Sequence, residues 1–333
     1  MSVEKIIGDW KKGKFKPVYL LHGEESYFID QLVYFAENNI IKAEEADFNK
    51  TIFYGKDTDW VSVVNASRRH PMFADKQLVI IKEAHSMNSI EKLEGYLESP
   101  LASTILIIAY KGKTIDKRTK LFKLLDKNGE IFISAKVQDY KIHDWISDYV
   151  NDIGMKISSK SVSLLQEHIG NDLGRIVTEI EKLKINLGDK KTIDEDAIEK
   201  YIGISKEYNI FELQAAIATK NLSAAIKIIN YFERNPKSVP IQMALPALYT
   251  FISKVYSVYG LSNKSEFALK PLFYNNSFAV AQATTMMNNY GYSGIEKLIL
   301  LLHHYNMKSL GVGDSGTEDA SLMKEMVAKM VVG

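Results

Sequence analysis

Pro17-Val18-Tyr19-Leu20-Leu21-His22-Gly23-Glu24-Glu25-Ser26-Tyr27-Phe28-Ile29-Asp30 is the stretch that decides the fold of this 333-residue chain. Residues 18–21 form an unbroken apolar run with the length of a buried strand, residues 22–25 turn, and residues 26–40 carry helical spacing. Strand, glycine turn and helix make the frame of a phosphate-binding loop, whose chemistry requires G-x-x-x-x-G-K-[ST]. After Gly23 there is no second glycine, no lysine and no Lys-Ser/Thr pair. Glu24 and Glu25 occupy the place of a triphosphate, and two carboxylates repel one. The frame of a nucleotidase is present without its working residues.

Outward from this stretch, strand patterns recur at residues 51–54, 77–81, 104–109 and 131–134. Three of the five strand candidates are rich in β-branched residues or continuously apolar, as strands covered on both faces must be. Helical patterns alternate with them at 27–40, 59–67, 89–97 and 117–126. Such alternation predicts a mostly parallel sheet wrapped by helices. From about Asp139 the strand signal stops, and helices are expected at 142–153, 159–169, 172–186 and 194–201. Asn171 or Asp172 can cap the third of these and Asp194 the fourth. A third group follows at 211–218, 222–232, 239–259, 277–289, 294–310 and 319–332, punctuated by Pro236, Pro240 and Gly260. Pro246 is expected to kink or break the 239–259 helix. The fold class is therefore α/β followed by all-α.

Composition sets the outer bounds. A formal charge of +1 gives no global argument for nucleic acid or membrane binding. The absence of cysteine excludes disulfides, zinc ribbons and thiol catalysis, and fits a reducing cytoplasm. The first residues lack a signal-peptide pattern, and the longest apolar runs are too short to span a bilayer. The expectation is a cytoplasmic protein.

Phosphate-loop hydrolysis also needs acidic residues after a second buried strand to hold magnesium. Here Leu78-Val79-Ile80-Ile81 is followed by Lys82-Glu83-Ala84-His85, a lone carboxylate behind a lysine. Since positioning and charge neutralisation supply nearly all catalysis of phosphoryl transfer, little remains. The seven histidines show no metal-ligand spacing, and adjacent His303 and His304 point to different sides of a helix. No activated nucleophile is marked.

Two constellations stand out. In Arg68-Arg69-His70-Pro71-Met72-Phe73-Ala74-Asp75-Lys76-Gln77, two large apolar residues follow a proline in a charged, loop-like stretch. Met72 and Phe73 either tuck into the sheet edge or stand out as a hydrophobic anchor for a partner's pocket. Lys111, Lys113, Lys117, Arg118, Lys120, Lys123 and Lys127 form a basic cluster, partly offset by Asp116 and Asp126. It is either a solvated face or a contact for phosphates or an acidic partner, and it lacks aromatics at base-stacking spacing. Arg175 and Glu179 are spaced to pair on one helix face; alternatively, Arg175 is a remnant of a nucleotide-facing lid arginine.

Taken in order, these pieces resemble the delta subunit family of the bacterial DNA polymerase III clamp loader. The resemblance is carried by residues 17–25, 72–81 and 116–121. It continues through Gly170-Asn171-Asp172-Leu173-Gly174-Arg175, Glu179-Ile180-Glu181-Lys182-Leu183 and Asn209-Ile210-Phe211-Glu212-Leu213. It implies an AAA+-type clamp-binding domain without a functional P-loop at 1–137. A small helical lid at 138–206 and a helical collar for oligomerisation at 207–333 would follow.

The resemblance further implies a subunit with no catalytic residues, cofactor or metal, which does not hydrolyse ATP itself. It would serve a holoenzyme whose activity is DNA-directed DNA polymerase. Its partners would be the beta sliding clamp, the gamma/tau and delta prime subunits through the collar, and primed DNA within the complex. Met72 and Phe73 match the family's clamp-binding pair, with Arg68 where the pattern can carry glutamine. Ser134-Ala135-Lys136 stands where other loader subunits carry the Ser-Arg-Cys arginine finger. Lys111, Lys113, Lys117, Arg118 and Lys120 remain candidates for DNA or partner contact. A P-loop-like ATPase with an unusual site, and a DNA-binding protein using the basic cluster, are the alternatives.

Overall fold

The computed structural model describes residues 2–205, 208–235, 239–274, 276–314 and 316–333. They divide into two compact units, 1–137 and 138–333. The expected boundary between residues 206 and 207 falls on Lys206 and Glu207, outside the described residues, as does Pro236.

The first unit runs α1 (Val3–Lys11), β1 (Val18–Gly23), α2 (Ser26–Asn39), α3 (Ala46–Asn49), β2 (Lys50–Tyr54), α4 (Trp60–Ser67) and β3 (Gln77–Lys82). It continues with α5 (Glu94–Leu97), β4 (Thr104–Lys111), α6 (Lys120–Asn128) and β5 (Glu130–Ser134). All five expected strands form, in one sheet of order β2-β3-β4-β1-β5. Every pairing is parallel, with Leu20 opposite Ile108 and Ile131, and Lys50 opposite Leu78.

Strand side chains alternate faces, so each continuous apolar run serves two cores. Val18, Leu20, Val79, Ile81, Leu106 and Ile108 pack with Val63, Tyr96, Leu97, Leu121 and Leu125 on one side. Tyr19, Leu21, Leu78, Ile80, Ile105 and Ile107 pack with Ile6, Trp10, Ile29, Leu32 and Ala36 on the other. The unit is thus three layers, with α4, α5 and α6 on one face and α1 and α2 on the other.

Local chemistry explains the boundaries. Asp59 caps α4 by accepting from the Ser62 N–H at 2.7 Å. The helix expected at 117–126 starts at Lys120, because Asp116 turns the chain: its carboxylate accepts from the Arg118 N–H and its carbonyl from the Thr119 N–H. Thr119 then caps α6. The single helix expected at 89–97 is instead a 3-10 segment, Ile90–Leu93, followed by α5. Helix α1 was not expected, although Val3, Ile6 and Trp10 give it a buried stripe.

The second unit contains α7 (Asp139–Asp152), β6 (Lys156–Ile157), α8 (Ser159–Ile169), α9 (Leu173–Leu187), β7 (Thr192–Ile193) and α10 (Glu195–Ile202). Helices α11 (Ile210–Ala218), α12 (Leu222–Arg234), α13 (Ile241–Val258), α14 (Glu266–Leu269), α15 (Ser277–Ser309) and α16 (Asp319–Val332) complete it. Strand structure does not stop at Asp139: β6 and β7 pair in parallel, each too short to show a period of two. Asp172 and Asp194 cap α9 and α10 through the Arg175 and Ala197 N–H groups.

The Arg175–Glu179 pair does not form; Glu179 takes Lys182 at 2.7 Å instead. Pro246 does not break α13. The face carrying Ile241, Leu245, Leu248, Ile252 and Val255 is buried, and that burial outweighs the roughly 3 kcal/mol cost of an interior proline. The two helices expected at 277–289 and 294–310 are the halves of α15, separated at Gly291, which takes φ 64°.

Candidate functional site

The turn after β1 is closed by the protein's own groups. The Gly23 N–H donates to the Lys113 carbonyl at 3.0 Å, and the Glu25 N–H to the Ser134 carbonyl at 3.2 Å. The Glu25 carboxylate caps α2 by accepting from the Tyr27 N–H at 3.2 Å. Ser134 Oγ donates back to the Glu25 carbonyl at 2.6 Å. Three of the backbone donors in this turn, the Gly23, Glu25 and Tyr27 N–H groups, are therefore engaged where a phosphate would need them. Gly23 is required by this closure: at φ 141° its Cβ would lie 2.0 Å from the Ser134 carbonyl oxygen.

Beneath the turn, His22 is 1 % exposed, and its Nδ1 accepts from the Ile115 N–H at 3.1 Å. Burial, and secondly the Lys117 charge, hold the His22 imidazole below its ordinary pKa. At the end of β3, Lys82 is ion-paired with Glu37 at 2.7 Å and Glu83 sits in left-handed backbone at φ 52°. Among the described residues, no group of three or more histidines or carboxylates could hold a metal ion.

The basic cluster is largely committed internally. Lys111 is ion-paired with Asp30 on α2. Arg118 grips Asp116 through Nε and Nη2, at 3.0 and 2.6 Å to Oδ2, and that contact holds the Asp116 carboxyl below its usual range. Lys120 binds Glu98 at 2.8 Å, which raises the lysine and lowers the glutamate. Lys113 and Lys117 are exposed and, among the described residues, have no ion-pair partner. Lys117 and Arg118 line an open cleft of about 640 Å³ with His22, Thr114 and Ile133. A second cleft, of about 530 Å³ in the second unit, contains none of the sequence-derived candidates. There burial lowers Lys254 to about 8, with its ammonium 3.3 Å from the centre of the Tyr274 ring.

Met72 and Phe73 lie elsewhere, in the loop from α4 into β3. Phe73 is 95 % exposed and Met72 is 50 % exposed. Neither tucks fully into the sheet edge. Phe73 takes φ 57°, a left-handed conformation that L-residues avoid.

This loop is held at both ends by buried amides. Gln77, the first residue of β3, donates from Nε2 to the Arg69 carbonyl at 2.5 Å and to Thr104 Oγ1 at 2.8 Å. Thr104 Oγ1 in turn donates to the Ser67 carbonyl at 2.8 Å, tying down the end of α4. Asn49, at the end of α3, is 2 % exposed. Its Oδ1 accepts from the Met72 N–H at 2.7 Å and its Nδ2 donates to the Met72 carbonyl at 2.8 Å. Because β2 and β3 are neighbouring parallel strands, the segments entering them run side by side, which brings Asn49 to Met72 across 23 positions.

The structure separates the two constellations. The Met72-Phe73 loop enters the amino end of β3, whereas the closed turn and Lys111 leave the carboxyl ends of β1 and β4. Sequence reasoning missed Asn49 and Gln77. Gln77 had one signal, a polar residue opening a fully apolar strand; Asn49 had none, since its partner is remote in sequence.

A family model described as DNA polymerase III, delta subunit, matches residues 19–135. The chain is 23% identical over 267 residues to the DNA polymerase III subunit delta of Bacillus subtilis (strain 168), covering 76% of this chain and 77% of that one. It is 20% identical over 304 residues to the probable DNA polymerase III subunit delta of Aquifex aeolicus (strain VF5), covering 86% and 83%. Among solved structures, the Bacillus subtilis DNA clamp loader delta protein shares the fold with a TM-score of 0.55 at 20% identity, over 99% of this chain and 100% of that chain. Among the described residues, no helix is long and apolar enough to cross a membrane. The family model thus spans β1 to β5, and these two delta-subunit relatives align with three quarters of the chain or more, so the chain is similar to the delta subunits of DNA polymerase III over most of its length.

Proposed function

We propose that this chain binds the sliding clamp through Met72 and Phe73 and opens its ring for loading onto primed DNA, without hydrolysing ATP itself. The observation that carries this reading is a fixed loop presenting a 95 % exposed phenylalanine in left-handed backbone. An aromatic ring that gains nothing from the free protein's core, and is held in a costly conformation, suits a partner's pocket. The engaged donors of the Gly23–Tyr27 turn support a non-hydrolytic role.

The mechanism is a population shift. A closed ring has a rare open state, and a protein that binds the open form better raises its population by no more than its differential affinity. Met72 and Phe73 grip one clamp subunit, and the neighbouring loop and helix residues favour the opened geometry. Residues 138–206 form the lid. Residues 207–333 form the collar that joins the gamma/tau and delta prime subunits, which govern when the clamp-binding surface is available. Within that assembly, Lys113 and Lys117, the two members of the Lys111, Lys113, Lys117, Arg118 and Lys120 set without internal ion pairs, contact primed DNA or a partner.

The test is the double variant Met72→Ala/Phe73→Ala, titrated against the organism's own beta clamp. Burying Met and Phe is worth about 1.5–3 kcal/mol each, so affinity falls by at least roughly a hundredfold. Unchanged affinity removes the anchor assignment.

A further inference from the structure

We infer that Asn49 is a positioning residue for clamp docking: its side-chain amide fixes the Met72 peptide groups and thereby sets the direction in which Phe73 is presented. The inference rests on the docking role proposed for Met72 and Phe73. Its own basis is the geometry. One primary amide donates to the carbonyl and accepts from the N–H of the same residue, at 2.8 and 2.7 Å, as a neighbouring strand would. Fixing both polar groups of Met72 restricts the backbone on each side of it, including the peptide that leads into Phe73.

Phe73 needs such a restraint. Its left-handed φ of 57° is unfavourable for a residue with a Cβ, and a 95 % exposed ring has little packing of its own to hold it there. A buried amide 23 positions away supplies that restraint. The Nδ2 group also donates to the Glu45 carbonyl at 3.2 Å, so the amide is itself oriented from within α3's approach. Without Asn49 the loop samples other conformations, and the apparent affinity drops by the fraction that remains competent. Asn49 need not touch the clamp to have this effect.

The experiment uses the full chain and the organism's beta clamp. Two lost hydrogen bonds make Asn49→Ala about tenfold weaker in clamp binding. In the Met72→Ala/Phe73→Ala background the same change costs less than a further twofold, because there is no anchor left to position. In the free protein, hydrogen exchange at the Met72 amide accelerates while the amides of residues 78–81 in β3 stay protected. Should Asn49→Ala perturb the whole first unit, Asn49→Asp repeats the measurements. It keeps the volume and the acceptor for the Met72 N–H but turns an oxygen toward the Met72 carbonyl, and it weakens binding as well.

The inference is overturned if Asn49→Ala binds the clamp normally while Met72→Ala/Phe73→Ala does not. A full, additive penalty in the double-variant background, or unchanged exchange at Met72, overturns it equally. Normal clamp binding by Met72→Ala/Phe73→Ala removes the docking role itself, and the positioning role with it.

Discussion

Phe73→Gly separates what the ring does for the partner from what it costs the protein. The substitution removes a side chain that is 95 % exposed, so almost no packing is lost from the free chain. It also relieves a left-handed backbone at φ 57°, a conformation that costs an L-residue about 1–2 kcal/mol. Glycine's larger freedom in the unfolded chain returns roughly 0.5–1 kcal/mol of that gain. The net expectation is a protein between equal in stability and about 1 kcal/mol more stable. Clamp affinity moves the other way: losing one buried phenyl ring costs about 1.5–3 kcal/mol, or roughly 10- to 150-fold in Kd. Urea unfolding of the full chain, followed through the first unit's transition, measures the first quantity, and titration calorimetry with the clamp measures the second. Destabilisation by more than about 1 kcal/mol would show that the ring packs against the free protein, contrary to its exposure. Unchanged affinity would show that exposure and strain at Phe73 have no part in docking.

Titrating the isolated chain with a fluorescent ATP analogue is expected to give no saturable, magnesium-dependent binding, because the Gly23, Glu25 and Tyr27 N–H groups already have acceptors. Micromolar binding that requires magnesium would overturn the non-hydrolytic reading. His22 gives a pH signature. Burial, then Lys117, lowers its pKa, so below its ordinary value of about 6.5 the unfolded chain binds more protons than the folded one. The stability contributed by neutral His22 is therefore complete above that pH and is lost as pH falls toward the depressed folded value. Protonation of Nδ1 would also break its bond from the Ile115 N–H. His22→Asn is expected to lose less stability than the wild type between pH 7.5 and 5.5 in urea titrations; an identical slope would refute the assignment.

Much of the first unit was legible because its signals are local. Five runs of strand length each formed at the expected place, the three central ones, β1, β3 and β4, buried on both faces of the parallel sheet and the edge strands β2 and β5 only partly. In the second unit, Asp172 and Asp194 acted as the caps expected of them, because a carboxylate three residues ahead of a free N–H finds it without help from the rest of the fold. Errors came where long-range packing outweighed local preference. Pro246 did not break α13, because a buried apolar face runs through it. The strands β6 and β7 exist only through each other. The Arg175–Glu179 pairing failed for a local reason instead: Lys182, three positions on in the same helix, takes the glutamate.

The sequence by itself determined that this α/β frame lacks the lysine, second glycine and acidic pair of a phosphate-loop enzyme, since those are matters of residue identity. It also marked Met72 and Phe73, but left them equally suited to a core or to a surface. Only the tertiary structure decided between those outcomes. Exposure depends on what the neighbouring strand entry leaves uncovered, and the loop's conformation depends on two amides, Asn49 and Gln77, that reach it across 23 and 8 positions. The parallel sheet then places the closed turn and the presented phenylalanine at opposite ends of its strands.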